Sequence, residues 1–219
     1  MRLLKFLLCL VVSFSLVSFI GCKKTNSELD GTTGEDGQST IKYSEGLEFV
    51  LTSDGTAYEI ASIGECEDRE IVIPAVYQNK PIIAVKSYAF YNNLQIETLT
   101  ISENVKVIES YAFSGATNLR SVMYLNSSTL ERVEEYAFSG CTAMQFFNFS
   151  SSVKFVGEYA FSYCSALNSV TFNHGSQLET ISAYAFKDCY ILTGMRIPQT
   201  VKNIHATAFE GCKNLITSK

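Results

Sequence analysis

The side chains of this sequence that could act as catalytic acids, bases or nucleophiles do not form a recognisable constellation. Its two histidines, His174 and His205, have no serine, cysteine or carboxylate placed around them by a known catalytic motif. Glu109, Glu134 and Glu158 recur beside similar turns, which favours solvated positions on a repeated surface over a general acid–base pair. The sequence also lacks the nucleophile elbow, the dinucleotide fingerprint and the Walker loop. The alternative is a carbohydrate-processing enzyme built on a β-solenoid, which would need clustered carboxylates that this sequence lacks. We therefore predict that the chain is not an enzyme.

Four of the seven cysteines could bind a metal, form disulfides or remain as buried thiols. Cys141, Cys164, Cys189 and Cys212 are spaced by 23, 25 and 23 residues, so equivalent positions of a repeat would align them in one column. Neighbouring strands lie about 4.8 Å apart, which does not forbid a disulfide. No C-x-x-C or histidine-pair spacing supports zinc, however, and free cysteine is among the most buried residue types. We predict buried free thiols, with no metal site and no cofactor.

The start of the chain predicts export. Two basic residues precede an apolar run over residues 6–20, which has the length of a signal peptide and is shorter than the roughly 20 residues of a membrane-spanning helix. Phe19-Ile20-Gly21-Cys22 resembles the lipobox of bacterial lipoproteins, with Phe19 where leucine is usual, and this resemblance implies a lipid on Cys22. Plain secretion and an uncleaved anchor remain as alternatives. We predict a signal peptide over 1–21, and a lipidated cysteine followed by a flexible, Gly-, Thr- and Ser-rich tether over 22–42.

The rest of the chain contains one repeat in six copies. The tripeptide Tyr-Ala-Phe occurs five times and Thr-Ala-Phe once, at steps of 23, 25, 23, 25 and 23 residues. The six phenylalanines are Phe90, Phe113, Phe138, Phe161, Phe186 and Phe209. Apolar residues recur five and eight residues before each of them and six after, and in the first five copies also nine and eleven after. The two extra residues of alternate steps fall outside these columns, so we expect them in surface turns.

The spacing within one copy predicts short strands and turns, with no long helix. The pattern L-x-x-V-x-I ends in strict alternation, which is typical of a strand, and V-x-x-I before each tripeptide predicts a second, shorter extended segment. Burial of the roughly seven large apolar side chains of one copy would contribute about 2 kcal/mol each. Ordering the backbone costs on the order of 1–2 kcal/mol for each of its residues, so one copy cannot fold alone. The copies must therefore stack and cover one another.

The repeat I-x-x-Y-A-F-x-x-C-x-x-L-x-x-V-x-I resembles the BspA-type leucine-rich repeat. The resemblance implies a β-rich solenoid, a curved right-handed coil with a parallel sheet on one face and few or no long helices. Residues 43–81 are similar to the β-type N-terminal cap of such arrays, and 82–219 would form the array of about six repeats. Proteins of this family are typically surface-exposed, and often adhesive or host-interacting.

The outward face of the predicted sheet is the candidate binding surface. Its middle column holds Thr100, Met123, Asn148, Thr171 and Arg196, and Phe146 lies in the column two residues earlier. Met123 and Phe146 are large apolar side chains at positions where exposure is expected, which can mark a binding site. Arg120 and Arg196 add long polar side chains to this surface. The alternative interpretation is that the exposed apolar side chains are scattered and have no function. The tyrosines of the tripeptides would form a structural ladder or, alternatively, a second binding stripe.

These features predict a lipid-anchored protein of the bacterial cell envelope, exposed at the surface, that binds a protein ligand such as a host extracellular protein. The net charge of −5 and the lack of a basic patch argue against nucleic acid as a partner. The alternative function is that of a structural or self-associating envelope protein, because the last copy offers an open strand edge.

Overall fold

A computed structural model of the protein describes residues 42–125 and 128–218. The predicted signal peptide, Cys22 and nearly all of the predicted tether lie outside these residues. The described chain contains strands and turns without a helix, and it begins with five strands that precede or open the array. They are β1 (Glu48–Leu51), β2 (Tyr58–Ser62), β3 (Glu70–Val72), β4 (Val76–Tyr77) and β5 (Lys80–Val85).

The copies of the repeat are here called rungs and are numbered one to six by their phenylalanines. Each rung contributes a longer strand, and rungs two to six also contribute a short strand, while β5 takes the place of the short strand in the first rung. The short strands immediately precede the Tyr-Ala-Phe turns and match the predicted V-x-x-I segment. They are β7 (Val107–Ile108), β9 (Arg132–Val133), β11 (Phe155–Val156), β13 (Thr180–Ile181) and β15 (Asn203–Ile204). The longer strands are β6 (Thr98–Ile101), β8 (Ser121–Tyr124), β10 (Phe146–Phe149), β12 (Ser169–Phe172), β14 (Gly194–Arg196) and β16 (Ile216–Ser218).

The strands of successive rungs pair in parallel, which confirms the predicted solenoid of stacked repeats. The short strands join β5, β2 and β1 in a nine-stranded sheet of order β1-β2-β5-β7-β9-β11-β13-β15, with β4 beside β5. Only the β1–β2 and β4–β5 pairs are antiparallel among the described strands. The connections alternate in length as predicted, with 102–106 and 150–154 shorter than 125–131 and 173–179.

The longer strands form two sheets, although the sequence predicts one continuous sheet on that face. One sheet has the order β3-β6-β8 and the other β10-β12-β14-β16, so the backbone pairing stops between β8 and β10. Tyr124, at the end of β8, lies at this point, and its buried hydroxyl points towards the Ser150 backbone amide without a well-aligned hydrogen bond. Burial raises the pKa of the Tyr124 hydroxyl. The other copies hold Ile or Phe in this column, so Tyr124 places a buried polar group at the point where the backbone pairing stops.

The core is a stack of equivalent side chains from successive rungs. The phenylalanine rings stack with centroid separations of 4.8 to 5.5 Å, and those of rungs one to five are essentially inaccessible to solvent. Phe209, on the sixth rung, is only partly buried. This confirms that each rung covers the apolar side of its neighbour.

The tyrosines of the tripeptides form a continuous ladder along the turns. Their ring centroids lie 4.6 to 5.0 Å apart in Tyr88, Tyr111, Tyr136, Tyr159 and Tyr184. Each has a positive φ, between 54° and 64°, which is a left-handed conformation that costs most residues energy. This backbone lets each Phe N–H reach the Ala carbonyl of the next rung, as in the 2.8 Å bond from Phe113 N to Ala137 O. Thr207 replaces tyrosine on the sixth rung and does not share the positive φ.

The thiols of the predicted column lie against the phenylalanine stack. Cys141, Cys164 and Cys189 are buried and Cys212 is partly exposed, and all four are free. Each thiol donates a hydrogen bond of 3.0 to 3.3 Å to the phenylalanine carbonyl of the preceding rung. The predicted burial is therefore confirmed for Cys141, Cys164 and Cys189 and not for Cys212. Burial raises the pKa of Cys164 to about 12.

Candidate functional site

The outward face of the two longer-strand sheets exposes the two large apolar side chains that the sequence singles out. Met123, on β8, and Phe146, on β10, are 50% and 51% exposed. They lie on neighbouring rungs, one on each side of the gap in backbone pairing, and two residues apart in the strand frame. Each is followed or preceded along its strand by a buried side chain, Val122 next to Met123 and Phe147 next to Phe146. Because successive side chains of a strand point to opposite faces, Met123 and Phe146 both project from the outward face.

Polar side chains next to this pair are joined by hydrogen bonds. Asn148 donates from Nδ2 to Oδ1 of Asn173 at 2.9 Å, and its own Oδ1 accepts from the Thr171 hydroxyl at 3.0 Å. Asn148 and Thr171 face each other in the register of β10 and β12, as the sequence columns predict. Asn173, which lies in the turn after β12, was not predicted as part of this surface. Asn173 lies two residues after Thr171, which is the residue equivalent to Asn148 on the next rung, so no column of the repeat selects it.

The two arginines predicted for this surface occupy different places. Arg196, on β14, is exposed beside β12 and makes no salt bridge within the described residues. Arg120 lies just before β8 and is directed to Glu97, with 3.5 Å between Nη1 and Oε2. Glu97 also binds Arg69 at 3.0 Å. Arg196 therefore remains available at the face, whereas Arg120 is held towards the start of the array.

Thr100, the first member of the outward column, is not exposed as the sequence predicts. It lies between Val72 and Met123 in the register of β3, β6 and β8, and it is buried. Both neighbours project from the same face, and the longer Met123 side chain and the Val72 side chain flank the threonine and shield it from solvent. The candidate surface therefore begins at Met123 and includes Phe146, Asn148, Thr171 and Arg196.

Three of the groups considered for catalysis, His205, Glu109 and Glu134, make local contacts that hold turns and strands together. His205 Nδ1 lies 2.9 Å from the Thr207 hydroxyl and fixes the last turn, where the positive-φ tyrosine is missing. Glu109 accepts hydrogen bonds from the Ser87 backbone and hydroxyl, and Glu134 pairs with Arg132. Among residues 42–125 and 128–218, no cluster of three or more His, Cys, Asp or Glu side chains could hold a metal ion. The same residues include no helix with the length and apolar character needed to cross a bilayer.

Comparison with known families identifies the repeat. A family model described as the BspA type leucine-rich repeat region matches residues 83–216 in six copies. The matched range begins within β5 and ends within β16, so it coincides with the stacked rungs described above. No curated protein matches the chain.

Solved structures with the same fold come from bacteria. A leucine-rich repeat protein of T. pallidum is 27% identical with a TM-score of 0.73, and the match covers 81% of both chains. A leucine-rich cell surface protein of Faecalibacterium prausnitzii is 24% identical with a TM-score of 0.56, covering 82% of this chain and 54% of that one. The pneumococcal vaccine antigen PcpA is 22% identical with a TM-score of 0.64, covering 80% and 48%. The chain thus spans about half the length of the last two proteins.

Proposed function

The chain belongs to the BspA-type leucine-rich-repeat family, and on that premise we propose that it is a lipid-anchored, non-enzymatic binding protein of the bacterial cell surface. The stacked rungs act as a rigid scaffold, and the outward face of the longer strands binds a protein partner, such as a host extracellular protein. This face is defined by Met123, Phe146, Asn148, Thr171 and Arg196.

The observation that carries the proposal is the pair Met123 and Phe146 beside a hydrogen-bonded polar group. Protein interfaces commonly combine a few large apolar or aromatic anchors with a polar rim. Here the apolar pair is half exposed, and the Asn148–Thr171–Asn173 hydrogen bonds hold the neighbouring polar side chains in place. Arg196, which is exposed and forms no ion pair within residues 42–125 and 128–218, adds a cation to the same face. A preorganised surface of this kind loses little side-chain entropy on binding.

A double variant tests this face. Met123→Ala with Phe146→Ala in the mature chain is expected to weaken binding to immobilised extracellular-matrix extract by about tenfold or more, because each truncated anchor costs on the order of 1 kcal/mol or more. Val76→Ala with Tyr190→Ala is the matched control, since these side chains are comparably exposed elsewhere. Equal binding by the two variants, with unchanged thermal melting, would reject the face.

Lipid anchoring is proposed from the sequence around Cys22, supported by the signal-like residues before it. Cleavage before Cys22 and acylation would leave residues 23–42 as a tether between the membrane and the array. Mass spectrometry of the mature protein should find an acyl-modified Cys22. Cys22→Ser should release the protein from the membrane fraction, and an unmodified Cys22 in wild-type protein would remove the anchor from the proposal.

The second candidate function is self-association as an envelope scaffold. The sixth rung stacks on the fifth, while Ile216 on β16 is 78% exposed and Phe209 and Leu215 are only partly buried. An exposed strand edge with apolar side chains can pair with a second copy. Ile216→Lys should then abolish a dimer seen by light scattering. A wild-type protein that remains monomeric at high concentration would contradict this candidate.

A further inference from the structure

A polar cleft lies away from the outward face, where the N-terminal strands meet the first rung. It has a volume of about 570 Å³, and its walls come from the segment 91–97, from Arg69 and from Asn118 of the second rung. Sites for small ligands typically have volumes of about 300–1,000 Å³. The lining is rich in carboxamides, which distinguishes the cleft from an apolar pocket. It also includes the exposed side chains of Tyr91 and Leu94.

Three carboxamides in this cleft are each fixed at one end by backbone groups. Asn93 Oδ1 accepts from the backbone N–H of Gln95 and Ile96, at 2.9 and 3.0 Å. Gln95 Nε2 donates to two backbone carbonyls of the segment before β3, and Asn118 Nδ2 donates to the Leu94 carbonyl at 2.6 Å. Each amide therefore keeps its other end for a ligand. Asn93 offers donors, whereas Gln95 and Asn118 offer acceptors, in positions that their own bonds preorganise.

An aromatic ring stands beside these amides. Tyr91 is 48% exposed, and its ring is nearly perpendicular to that of Tyr88, at an interplanar angle of 76° and a centroid distance of 5.5 Å. Tyr91 therefore lies outside the parallel stack of the tyrosine ladder, and about half of its surface is accessible to a ligand. Leu94, which is also exposed, follows it in the same wall.

The cleft favours a neutral ligand. The two charged side chains that line it, Arg69 and Glu97, are paired with each other at 3.0 Å. A pyranose has an apolar C–H face, which suits an aromatic ring, and hydroxyl groups that both donate and accept hydrogen bonds. We propose that this cleft binds a pyranose unit of a neutral glycan, with Tyr91 beneath the sugar ring and Asn93, Gln95 and Asn118 bonded to its hydroxyls.

The test uses the mature chain and four soluble probes: chitohexaose, cellohexaose, mannohexaose and maltohexaose. Binding is measured by titration calorimetry up to about 10 mM sugar, a range that reaches millimolar dissociation constants. Tyr91→Ala should weaken the binding of at least one probe by about tenfold or more. Tyr190→Ala is the matched control, because Tyr190 is 45% exposed at the other end of the array.

A second pair of variants separates ligand binding from folding. Asn118→Ala removes a free amide oxygen from the cleft and a bond to the Leu94 carbonyl. Asn214→Ala, on the sixth rung, removes the equivalent bond to the Tyr190 carbonyl of the fifth rung. The proposal expects a similar effect of both on thermal stability, with sugar binding weakened only by Asn118→Ala. The proposal is overturned when none of the four sugars binds, or when Tyr91→Ala and Asn118→Ala bind the sugars as well as their control variants do. It is also overturned when a decaproline peptide binds in a Tyr91-dependent manner and the sugars do not.

Discussion

Replacing Tyr136 by glycine should be less destabilising than replacing it by alanine. Tyr136 is the middle member of the tyrosine ladder and stacks on Tyr111 at 4.6 Å and on Tyr159 at 4.7 Å. Each aromatic pair contributes about 0.5–1.5 kcal/mol beyond its buried area. Both substitutions remove two such pairs, so each should lower the free energy of unfolding by roughly 1–3 kcal/mol from stacking alone.

The two variants differ in the backbone. Tyr136 has a φ of 55°, and a left-handed conformation costs a non-glycine residue roughly 1–2 kcal/mol. Alanine keeps this cost, whereas glycine adopts the conformation freely, at an expense in unfolded-state entropy of about 0.5–1 kcal/mol. The balance favours glycine by up to about 1.5 kcal/mol. Tyr136→Phe, which keeps the ring, should stay within about 0.5 kcal/mol of wild type.

Urea unfolding followed by circular dichroism measures these differences, provided that the slope m is the same for all variants. Thr207 provides the control, because it occupies the same place in the sixth rung without a positive φ. There the order should reverse, with Thr207→Gly less stable than Thr207→Ala. A Tyr136→Ala protein more stable than Tyr136→Gly would refute the backbone argument, and a Tyr136→Ala protein as stable as wild type would refute the contribution of the ladder.

Three further predictions concern glycines, thiols and pH. Gly157→Ala should lower the free energy of unfolding by about 1–3 kcal/mol, because its Cβ would lie 2.5 Å from the Glu134 backbone, whereas Gly194→Ala, with open space, should be tolerated in the same urea assay. Iodoacetamide labelling of the native protein, read by mass spectrometry, should modify Cys212 before the buried thiols of its column; early labelling of a buried one would contradict the stacking. Burial raises the pKa of the Cys164 thiol from 9.0 to about 12, so the stability that the buried thiol contributes below pH 9 is lost as the pH rises from 9 to 12. The free energy of unfolding should therefore fall less steeply with pH in this range for Cys164→Ala than for wild type.

The repeat frame made most of the fold predictable from the sequence. Because apolar residues recur at fixed distances from each phenylalanine, the stacking of Phe113 on Phe138 and the burial of Cys164 follow from the spacing alone. The exposure of Met123 and Phe146 follows in the same way, since strand alternation assigns a face to each position. These are properties that all the copies share.

The remaining features depend on differences between copies or on contacts that no pattern encodes. The gap in the sheet arises where one copy places Tyr124 in a column of Ile and Phe. The positive φ of the tyrosines runs against their intrinsic preference and is set by the stacked turns. The carboxamide cleft depends on bonds from Gln95 to backbone carbonyls more than 25 residues away, outside the repeat.

The alternation of shorter and longer connections has a consequence for how such a gene can change in length. A 23-residue step and a 25-residue step together make a unit of 48 residues, and this unit, not the single copy, recurs along the chain. Duplication or deletion of one such unit would preserve the alternation, whereas loss of one copy would place two connections of equal length side by side. Descendants of this sequence are therefore expected to grow or shrink by rung pairs, about 10 Å of stacked strand at a time.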